Sequence, residues 1–195
     1  MLKIKLELTE PQLGTCPKDR EVYKTFIASK AAEIENAKEE VQTIEQVEEK
    51  GWTGFHKDEH GIFIYDYMVR GFLKAAGNAM KGQTGLKNMA SKIDKFVFVF
   101  PRRIHAKLDG KAVKEPHGVL ERPLRAQTMQ GPRVTLARSD YLKAGCVYEF
   151  EIRILGNDMG ITPKVIISLL DYGQFSGLGQ FRNGSYGRFS FKVQK

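Results

Sequence analysis

The sequence predicts an α+β fold, with strands and helices following one another along one chain. Alternating apolar and polar residues at 3–8 and 146–155 are the pattern of half-buried strands. Apolar residues at helical spacing at 66–80 and 164–172 indicate two helices that each bury one side. With 195 residues, 42% of them apolar and 28% charged, the chain can fold around one sizeable core.

The first strand is followed by a loop and then by a long helical segment. Pro11, Gly14 and Pro17 interrupt the chain. Residues 19–50 contain neither Pro nor Gly and carry a narrow apolar stripe on an otherwise charged surface. They predict one long acidic helix, or two helices that meet near Ser29. This helical segment is a candidate surface for a protein partner.

The next strand leads directly into a helix. Residues 61–65 predict a short buried strand, and Asp66 directly after it is a plausible N-cap for the helix that follows. After that helix, Gly82, Gly85 and Asn88 indicate a flexible connection.

The strongest strand pattern in the chain is at residues 95–100. Pro101 stops or bends this strand, and residues 103–108 could continue it. Asp109-Gly110 is a dipeptide typical of hairpin turns. The segment 111–133 is basic and rich in Pro and Gly, so we expect it to be irregular.

The last third of the chain contains a helix and a closing strand. Thr162 and Pro163 fit the N-cap and the first position of that helix, and Gly173 fits its C-cap. A glycine-rich loop follows, and residues 188–193 alternate as a final strand should.

This order of elements predicts an antiparallel or mixed sheet with helices mainly on one face. The economical solution is the split βαβ arrangement of ferredoxin-like or RRM-like folds. We expect a single domain over residues 1–195, in which the helical segment 19–50 and the basic segment 111–133 are insertions.

Charge is distributed unevenly along the chain. Its 31 Lys and Arg against 23 Asp and Glu give a net charge of +8. Residues 1–50 hold 8 basic and 11 acidic side chains, so the remaining residues carry a net +11. This asymmetry predicts a polyanion partner, although an ordinary solvated surface explains it about equally well.

Several other observations indicate the cellular compartment in which the protein is expected. The sequence contains no run of the roughly 18 apolar residues that a membrane helix needs. Residues 3–8 alternate charged and apolar side chains and lack the apolar run expected of a signal peptide. Cys16 and Cys146 lie far apart and match no metal-ligand spacing, which favours reduced thiols. We therefore expect a cytoplasmic protein that has no membrane partner and needs no cofactor.

The segment 173–189 is the most informative for function. It combines five glycines with aromatic and arginine side chains. Glycines permit close backbone approach and leave N–H groups exposed, arginines suit phosphates, and aromatic faces suit stacked bases. The segment therefore predicts binding of single-stranded RNA or DNA. The alternative is a purely structural role, in which the glycines of a tight loop only turn the chain and its aromatic residues cap the core.

This segment resembles the C-terminal glycine-rich loop of the RAMP proteins, the RRM-like RNA-binding proteins of CRISPR systems. The similar residues are Leu-Leu-Asp-Tyr-Gly at 169–173, followed by Gly-Leu-Gly-Gln-Phe-Arg-Asn-Gly-Ser-Tyr-Gly-Arg-Phe at 177–189. Residues 67–77 resemble the small-residue helix of the same proteins, in which a basic residue, here Arg70, precedes a glycine. The resemblance implies RNA binding.

The whole chain is also similar to proteins of phages and prophages of Gram-positive bacteria. Their pattern includes Arg-Pro-Leu-Arg-Ala-Gln-Thr-Met-Gln-Gly-Pro-Arg, found here at 122–133. This similarity implies a phage origin and no particular activity. The same segment is the second basic element of the chain, and its arginines could reach phosphates. The alternative is that this segment is an ordinary surface loop.

The residues predicted to contact nucleic acid share positive charge, aromatic character or a glycine backbone. They are Arg70, Arg102, Arg103, Arg122, Arg125, Arg133, Phe175, Gly177, Gly179, Phe181, Arg182, Gly184, Tyr186 and Arg188. We expect them to bind without catalysis.

Two other classes of function stay open. One is a metal-independent endoribonuclease, in which His105 would act with Tyr65, Tyr67 or His117 as general base and acid. The other is a phage protein-interaction factor, either an inhibitor of host defence or an assembly subunit. The sequence His-Lys-Asp-Glu-His at 56–60 matches an inverted zinc-protease motif, but a turn is expected there and would scatter the ligands.

Overall fold

The computed structural model of the chain describes residues 1–18, 52–85, 87–128, 131–155 and 160–194. The acidic helical segment expected at 19–50, with its candidate partner surface, lies outside the described residues. Within the described ranges, no helix combines the length and the apolar character that crossing a membrane requires.

The described residues form fourteen strands, four α-helices and one 3-10 turn. The strands are, in chain order, β1 (Leu2–Leu8), β2 (Gln12–Leu13), β3 (Cys16–Pro17), β4 (Thr53–Gly54), β5 (His56–Asp58), β6 (Gly61–Tyr65), β7 (Val97–Phe100), β8 (Arg103–His105), β9 (Lys107–Leu108), β10 (Lys111–Ala112), β11 (Gly118–Thr128), β12 (Gly131–Leu142), β13 (Val147–Ile154) and β14 (Phe189–Gln194). The helices are α1 (Asp66–Ala79), α2 (Lys81–Thr84), α3 (Met89–Phe96) and α4 (Pro163–Ser176), and Arg182–Gly184 forms a 3-10 turn.

Four strands form the centre of the main sheet. Strand β13 pairs antiparallel with β1 on one side and with β7 on the other, and β14 pairs antiparallel with the far edge of β1. The order is therefore β14-β1-β13-β7, with α1 to α3 leading from β1 to β7 and α4 leading from β13 to β14. This is the split βαβ arrangement, so the prediction of an α+β, ferredoxin-like or RRM-like fold is confirmed.

The core lies between one face of this sheet and the helices. In β1 the buried residues alternate with exposed or half-buried ones, and Ile4 is directly opposite Phe150 of β13, which is also buried. Helices α1 and α4 bury apolar residues such as Leu73 and Leu169 in the same core. Phe189 of β14 is 1% exposed, as its inward-facing place in the alternation predicts.

Two predicted helix ends are wrong. Helix α4 continues past Gly173 to Ser176, and its cap is Gly177, whose φ is +73°. Gly173 is instead a buried residue within the helix, and Phe175 belongs to its last turn and not to the loop. At the start of α1 the N-cap is Tyr65 and not Asp66, which is the first helical residue. The Thr162 cap is confirmed, since its Oγ1 accepts a hydrogen bond from the Val165 amide at 3.3 Å.

The connection to β7 contains more helix than the glycines indicate. Residues 81–84 form α2, and α3 begins at Met89 and continues through Phe96, so only residues 97–100 of the expected strand are extended. Helix α3 buries Met89 and Ile93 in the core. This packing explains why residues 95 and 96, which the sequence pattern places in the strand, belong to helix α3 instead.

The prediction that residues 111–133 are irregular is wrong. Strands β11 and β12 form a long antiparallel hairpin with register pairs from Gly118–Tyr141 to Thr128–Gly131. Pro123 is tolerated because β11 is an edge strand, so the missing N–H group breaks no sheet ladder on the outer side. The base of the hairpin is held by β2 and, through Ser139, by β4.

Strands β5, β6 and β8 form a third, three-stranded sheet, separate from the main sheet and from the five-stranded sheet that contains the hairpin. The chain leaves the main sheet at Phe100 and enters this sheet at Arg103, so Pro101 does separate two strands. Residues 56–58, expected in a turn, are strand β5. The expected hairpin turn at Asp109-Gly110 is confirmed, with φ of +51° and +75° at the two residues.

Candidate nucleic-acid interface

The glycine-rich loop runs from the end of α4 to the start of β14 and is closed by its own backbone. The Leu178 amide donates to the Gly187 carbonyl and the Gly187 amide donates to the Pro11 carbonyl, each at 2.8 Å. Phe181 and Ser185, which flank the 3-10 turn, have φ of +54° and +69°. Such left-handed conformations are uncommon outside glycine, so the surrounding contacts must hold them in place.

The loop glycines are needed for close packing within the protein. A Cβ at Gly177 would lie 2.4 Å from the Tyr186 carbonyl oxygen, and one at Gly187 would lie 2.0 Å from the Leu178 carbonyl oxygen. The amides of Gly177, Gly184 and Gly187 donate to carbonyls of the protein itself. These three N–H groups are therefore not presented to a ligand, contrary to the expectation for exposed amides.

The loop brings an arginine and two aromatic rings together. The guanidinium carbon of Arg122, on the β11 strand, lies 4.6 Å from the centroid of the Phe181 ring. The Tyr186 ring lies 5.7 Å from that of Phe181 at an interplanar angle of 32°. Phe181 packs over Gly184, where a Cβ would be 2.5 Å from its ring, yet it is still 42% exposed. The two basic elements of the sequence thus meet in one surface.

Gln180 fixes the loop to the base of the hairpin. Its Nε2 lies 2.7 Å from each of three oxygens. These are the carbonyl oxygen of Gly14 and the hydroxyl oxygens of Thr53 and Ser139. The Gln180 amide group joins three separate segments of the chain. The position of the neighbouring residue, Phe181, is therefore fixed by these segments and not by the loop alone.

A buried carboxylate also belongs to the base of the hairpin. Asp140 is 3% exposed and is compensated by two donors. Lys18 Nζ lies 2.8 Å from its Oδ2, and Trp52 Nε1 donates to its Oδ1 at 2.9 Å. The Lys18 ammonium also lies 4.1 Å from the Trp52 ring. The negative charge of Asp140 is therefore compensated by these two donors.

Arg122 is a partly desolvated cation. Its Nη1 donates to Ser139 Oγ at 3.2 Å, while its buried Nε finds no acceptor among the described residues. Burial lowers the pKa of the Arg122 guanidinium from its ordinary value, opposed by the nearby Tyr186. An arginine keeps its charge under these conditions, so an anion at this surface would meet a cation that water solvates poorly.

Arg182 lies on the other side of the loop, where a cleft of about 190 Å³ separates the loop from helix α1. The cleft is lined by Thr15, Met68, Gly71, Phe72, Leu178, Gly179 and Arg182. The predicted residues Gly179 and Arg182 therefore share this cleft and not the Phe181 surface.

Other predicted residues are distributed around this centre. Phe175, at the end of α4, is 73% exposed. Arg188 folds back toward it, since its Nε donates to the Phe175 carbonyl at 2.9 Å. Arg70 is half-buried on α1, directly before Gly71 of the cleft.

The remaining arginines lie in two more distant places. Arg125 and Arg133 are in the outer part of the hairpin, opposite Val134 and Ala126 respectively. Arg102 and Arg103 lie where β7 gives way to β8. The Arg102 carbonyl accepts a hydrogen bond from the Asp66 amide at 3.0 Å, which places it at the start of α1.

Sequence reasoning missed the outer face of the three-stranded sheet, which is aromatic and charged. The period of two in each strand puts the following side chains on this face: His56 and Asp58 of β5, Phe63 and Tyr65 of β6, and Arg103 and His105 of β8. In each of three short segments, two of these residues lie two positions apart, and this spacing is the indication that the sequence offers. The pairing of the strands is needed to bring the three segments together on one face.

His105 is part of an ion-pair network on that face. Its Nε2 lies 2.9 Å from Asp58 Oδ1, and Arg103 Nη1 lies 3.1 Å from Asp58 Oδ2. Burial acts to raise the pKa of Asp58, but hydrogen bonds from His105, the His60 amide and Arg103 outweigh it and lower that pKa. His117 is engaged elsewhere, as its Nδ1 accepts from the Lys143 amide.

Two further observations concern the cysteines and the side chains of metal-binding type among the described residues. Among these residues, no three His, Cys, Asp or Glu side chains cluster as metal ligands would. Cys16 and Cys146 are both free thiols, and burial raises the pKa of Cys146 to about 11.

Comparison with solved structures finds distant structural similarity. No protein-family model and no curated protein sequence matches the chain. The chain is similar to one in the cryo-EM structure of the type III-B Cmr-beta bound to cognate target RNA, with a TM-score of 0.48 and 11% sequence identity. The match covers 100% of this chain and 58% of the other. The resemblance to phage proteins stays a prediction.

Proposed function

We propose that this protein binds single-stranded nucleic acid, RNA or DNA, at the surface formed by the glycine-rich loop and the base of the β11–β12 hairpin. The observation that carries the proposal is the Phe181 ring, which is 42% exposed between the Arg122 guanidinium and Tyr186. Exposed aromatic rings stack on bases, and guanidinium groups pair with phosphates.

Charge favours this surface over the outer face of the main sheet. That outer face also has an exposed aromatic residue beside an arginine, since Arg153 lies 4.7 Å from the ring of Phe100. However, Glu149 and Glu151 line the same hollow and would repel phosphates. The loop, in contrast, belongs to a segment that contains no acidic residue after Asp171.

The two phenylalanines make a matched pair for a test, because each is 42% exposed and each lies beside an arginine. Binding of fluorescein-labelled oligo(U) and oligo(dT) would be followed by fluorescence anisotropy at several salt concentrations. We expect Phe181→Ala to weaken binding about tenfold or more, the effect of one lost base stack. Phe100→Ala should leave binding unchanged, and melting curves would check that both variants fold.

Two results would contradict the proposal. If Phe100→Ala weakens binding and Phe181→Ala does not, the interface is the outer face of the sheet. If the wild-type protein binds neither oligonucleotide even at about 50 mM salt, where phosphate contacts are strongest, nucleic-acid binding is wrong. The protein-interaction alternative would then take its place.

A further inference from the structure

Strand β14 leaves one edge of the main sheet open to a further strand. It pairs with β1 on one side, and no other described residue pairs with it. The Thr9 amide donates to the carbonyl of Arg188, directly before β14, and the pairs of an antiparallel ladder alternate between bonded and non-bonded ones. Lys192 therefore bonds to β1, while the N–H and C=O groups of Phe191 and Val193 point away from it.

The other described edges offer less to a partner strand. Strand β11 is long, but Pro123 removes one of its N–H groups. Strand β7 has four residues and ends directly before Pro101. Strand β14 has six residues without proline or glycine, and its register with β1 runs without interruption. Such an edge is a template for the addition of a strand.

We propose that β14 binds an extended segment of a partner protein, which adds to the main sheet as a further strand. The segment carries acidic side chains on the face of Lys192 and apolar side chains on the face of Val193. In this mode of recognition, main-chain hydrogen bonds give affinity and alternate side chains give specificity. A phosphate backbone fits the edge poorly, because phosphates need donors and half of the free groups are carbonyls. The interaction does not depend on the proposed function.

One face of β14 specifies the apolar side chains. Along this face Phe189 is 1% exposed, Phe191 is half-buried and Val193 is 42% exposed. The core therefore covers the beginning of the strand and leaves its end uncovered. Residues directly opposite each other on neighbouring strands have their side chains on the same face. Apolar residues opposite Phe191 and Val193 would thus complete the apolar cover of this face.

The other face specifies acidic side chains. Lys192 lies directly opposite Lys5 of β1, a pairing of like charges that destabilises a sheet. Lys5 has Glu149 of β13 on its other side, whereas Lys192 forms no ion pair with any described residue. An acid on the added strand would give Lys192 an opposite charge on its open side. A second copy of this chain is disfavoured, because each copy carries a net charge of +8.

The test measures binding of the fluorescein-labelled peptide Thr-Val-Glu-Val-Glu-Val-Thr to the full-length protein by fluorescence anisotropy in low-salt buffer. We expect saturable binding with a Kd of about 1 mM or lower. A peptide with Lys in place of Glu should bind about three- to tenfold more weakly. A peptide with N-methylated valines should not bind measurably, because the valine main chain would face β14. Nucleic acid is absent throughout, so the result is independent of the proposed function.

A charge reversal tests the site itself. In Lys192→Glu the preference should reverse, so that the Lys peptide binds more tightly than the Glu peptide. Lys111→Glu is the matched control, because Lys111 is also exposed but lies on β10, at the opposite end of the main sheet. It should keep the wild-type preference. If the two variants show the same preference, Lys192 is not part of the site and the proposal is wrong.

Amide hydrogen exchange followed by NMR tests the strand pairing. The peptide should slow exchange at Phe191 and Val193 and leave Ser190 and Lys192 unchanged, since these two already bond to β1. Binding that leaves exchange at Phe191 and Val193 unchanged would be charge attraction only and would overturn the proposal, as would failure of the Glu peptide to bind. Exchange at Phe191 and Val193 that is slow without peptide and speeds up on dilution would instead assign the edge to a second copy.

Discussion

Gly173 of α4 lies against the ring of Phe189 of β14, so closely that a Cβ on Gly173 would be 2.1 Å from the Cζ of that ring. The Phe72 ring of α1 would be 2.8 Å from the same Cβ, and it packs edge-on against Phe189 at 5.5 Å. One missing side chain therefore lets two helices and the last strand of the sheet meet in the core.

We expect Gly173→Ala to lower the free energy of unfolding by about 1–3 kcal/mol, because two buried rings must shift to admit the methyl group. Gly71→Ala is the control, since it places the same methyl group in open space within a helix. That variant should be stabilised by about 0.5–1 kcal/mol, and urea unfolding would measure both. Equal stability of the two variants would contradict the packing described for Gly173.

Gly173 also illustrates how far the sequence could be interpreted. A glycine after an apolar helix and before more glycines is typical of a C-cap, and local pattern alone favours that interpretation. The actual reason for the glycine is a contact with Phe189, sixteen positions later in the chain. Alternation and helical spacing were sufficient for β1, β13 and α1, since they depend on neighbours in the sequence, and they led to the correct fold class.

The hairpin and the three-stranded sheet were missed for a related reason. Pro123 is compatible with β11 because that strand is at an edge, which depends on the strand order of the whole sheet. His105 and Asp58 are 47 positions apart and meet only because β6 lies between their strands. The prediction that Arg122 and Phe181 belong to one binding surface stays a prediction, although the fold brings them within 4.6 Å.

Gln180 offers a test of how the loop is held. In Gln180→Glu, a carboxylate would face the Gly14 carbonyl oxygen, which now receives a hydrogen bond at 2.7 Å. We expect this variant to lose about 1–3 kcal/mol of stability, as unpaired buried polar groups do, and trypsin should cleave after Arg182 faster than in the wild type. Thr53→Val removes one of the three oxygens and should have a smaller effect. A cleavage rate unchanged in Gln180→Glu would mean that the anchor does not hold the loop.

The absence of catalysis is a separate proposal. We expect labelled RNA to stay intact when incubated with the protein, with or without divalent metal, because Asp58 already holds His105 and Arg103 in a network that covers Phe63. Gel electrophoresis of end-labelled RNA would detect cleavage. Cleavage that disappears in His105→Ala, while binding is retained, would instead assign this network to an endoribonuclease. Cleavage that co-purifies with the protein and persists in the variant would contradict the expected absence of catalysis without involving His105.

The pH dependence of stability tests the surroundings of His56. Burial lowers the pKa of His56 below its ordinary value of 6.5, and burial together with Lys143 does the same for His117. As the pH falls through 6.5, the unfolded chain takes up protons that these folded side chains resist, so the stability that they contribute is present above that pH and is lost below it. Asp58 acts at more acidic pH, because the stability that its lowered pKa contributes is lost only when the pH falls below about 4, near the value for an unfolded Asp. Urea midpoints measured between pH 8 and pH 5 therefore report mainly on the histidines.

We expect His56→Gln and His117→Gln each to make the urea midpoint depend less steeply on pH, and the double variant to have the weakest dependence. A curve as steep in His56→Gln as in the wild type would mean that His56 is as well solvated in the folded protein as in the unfolded chain.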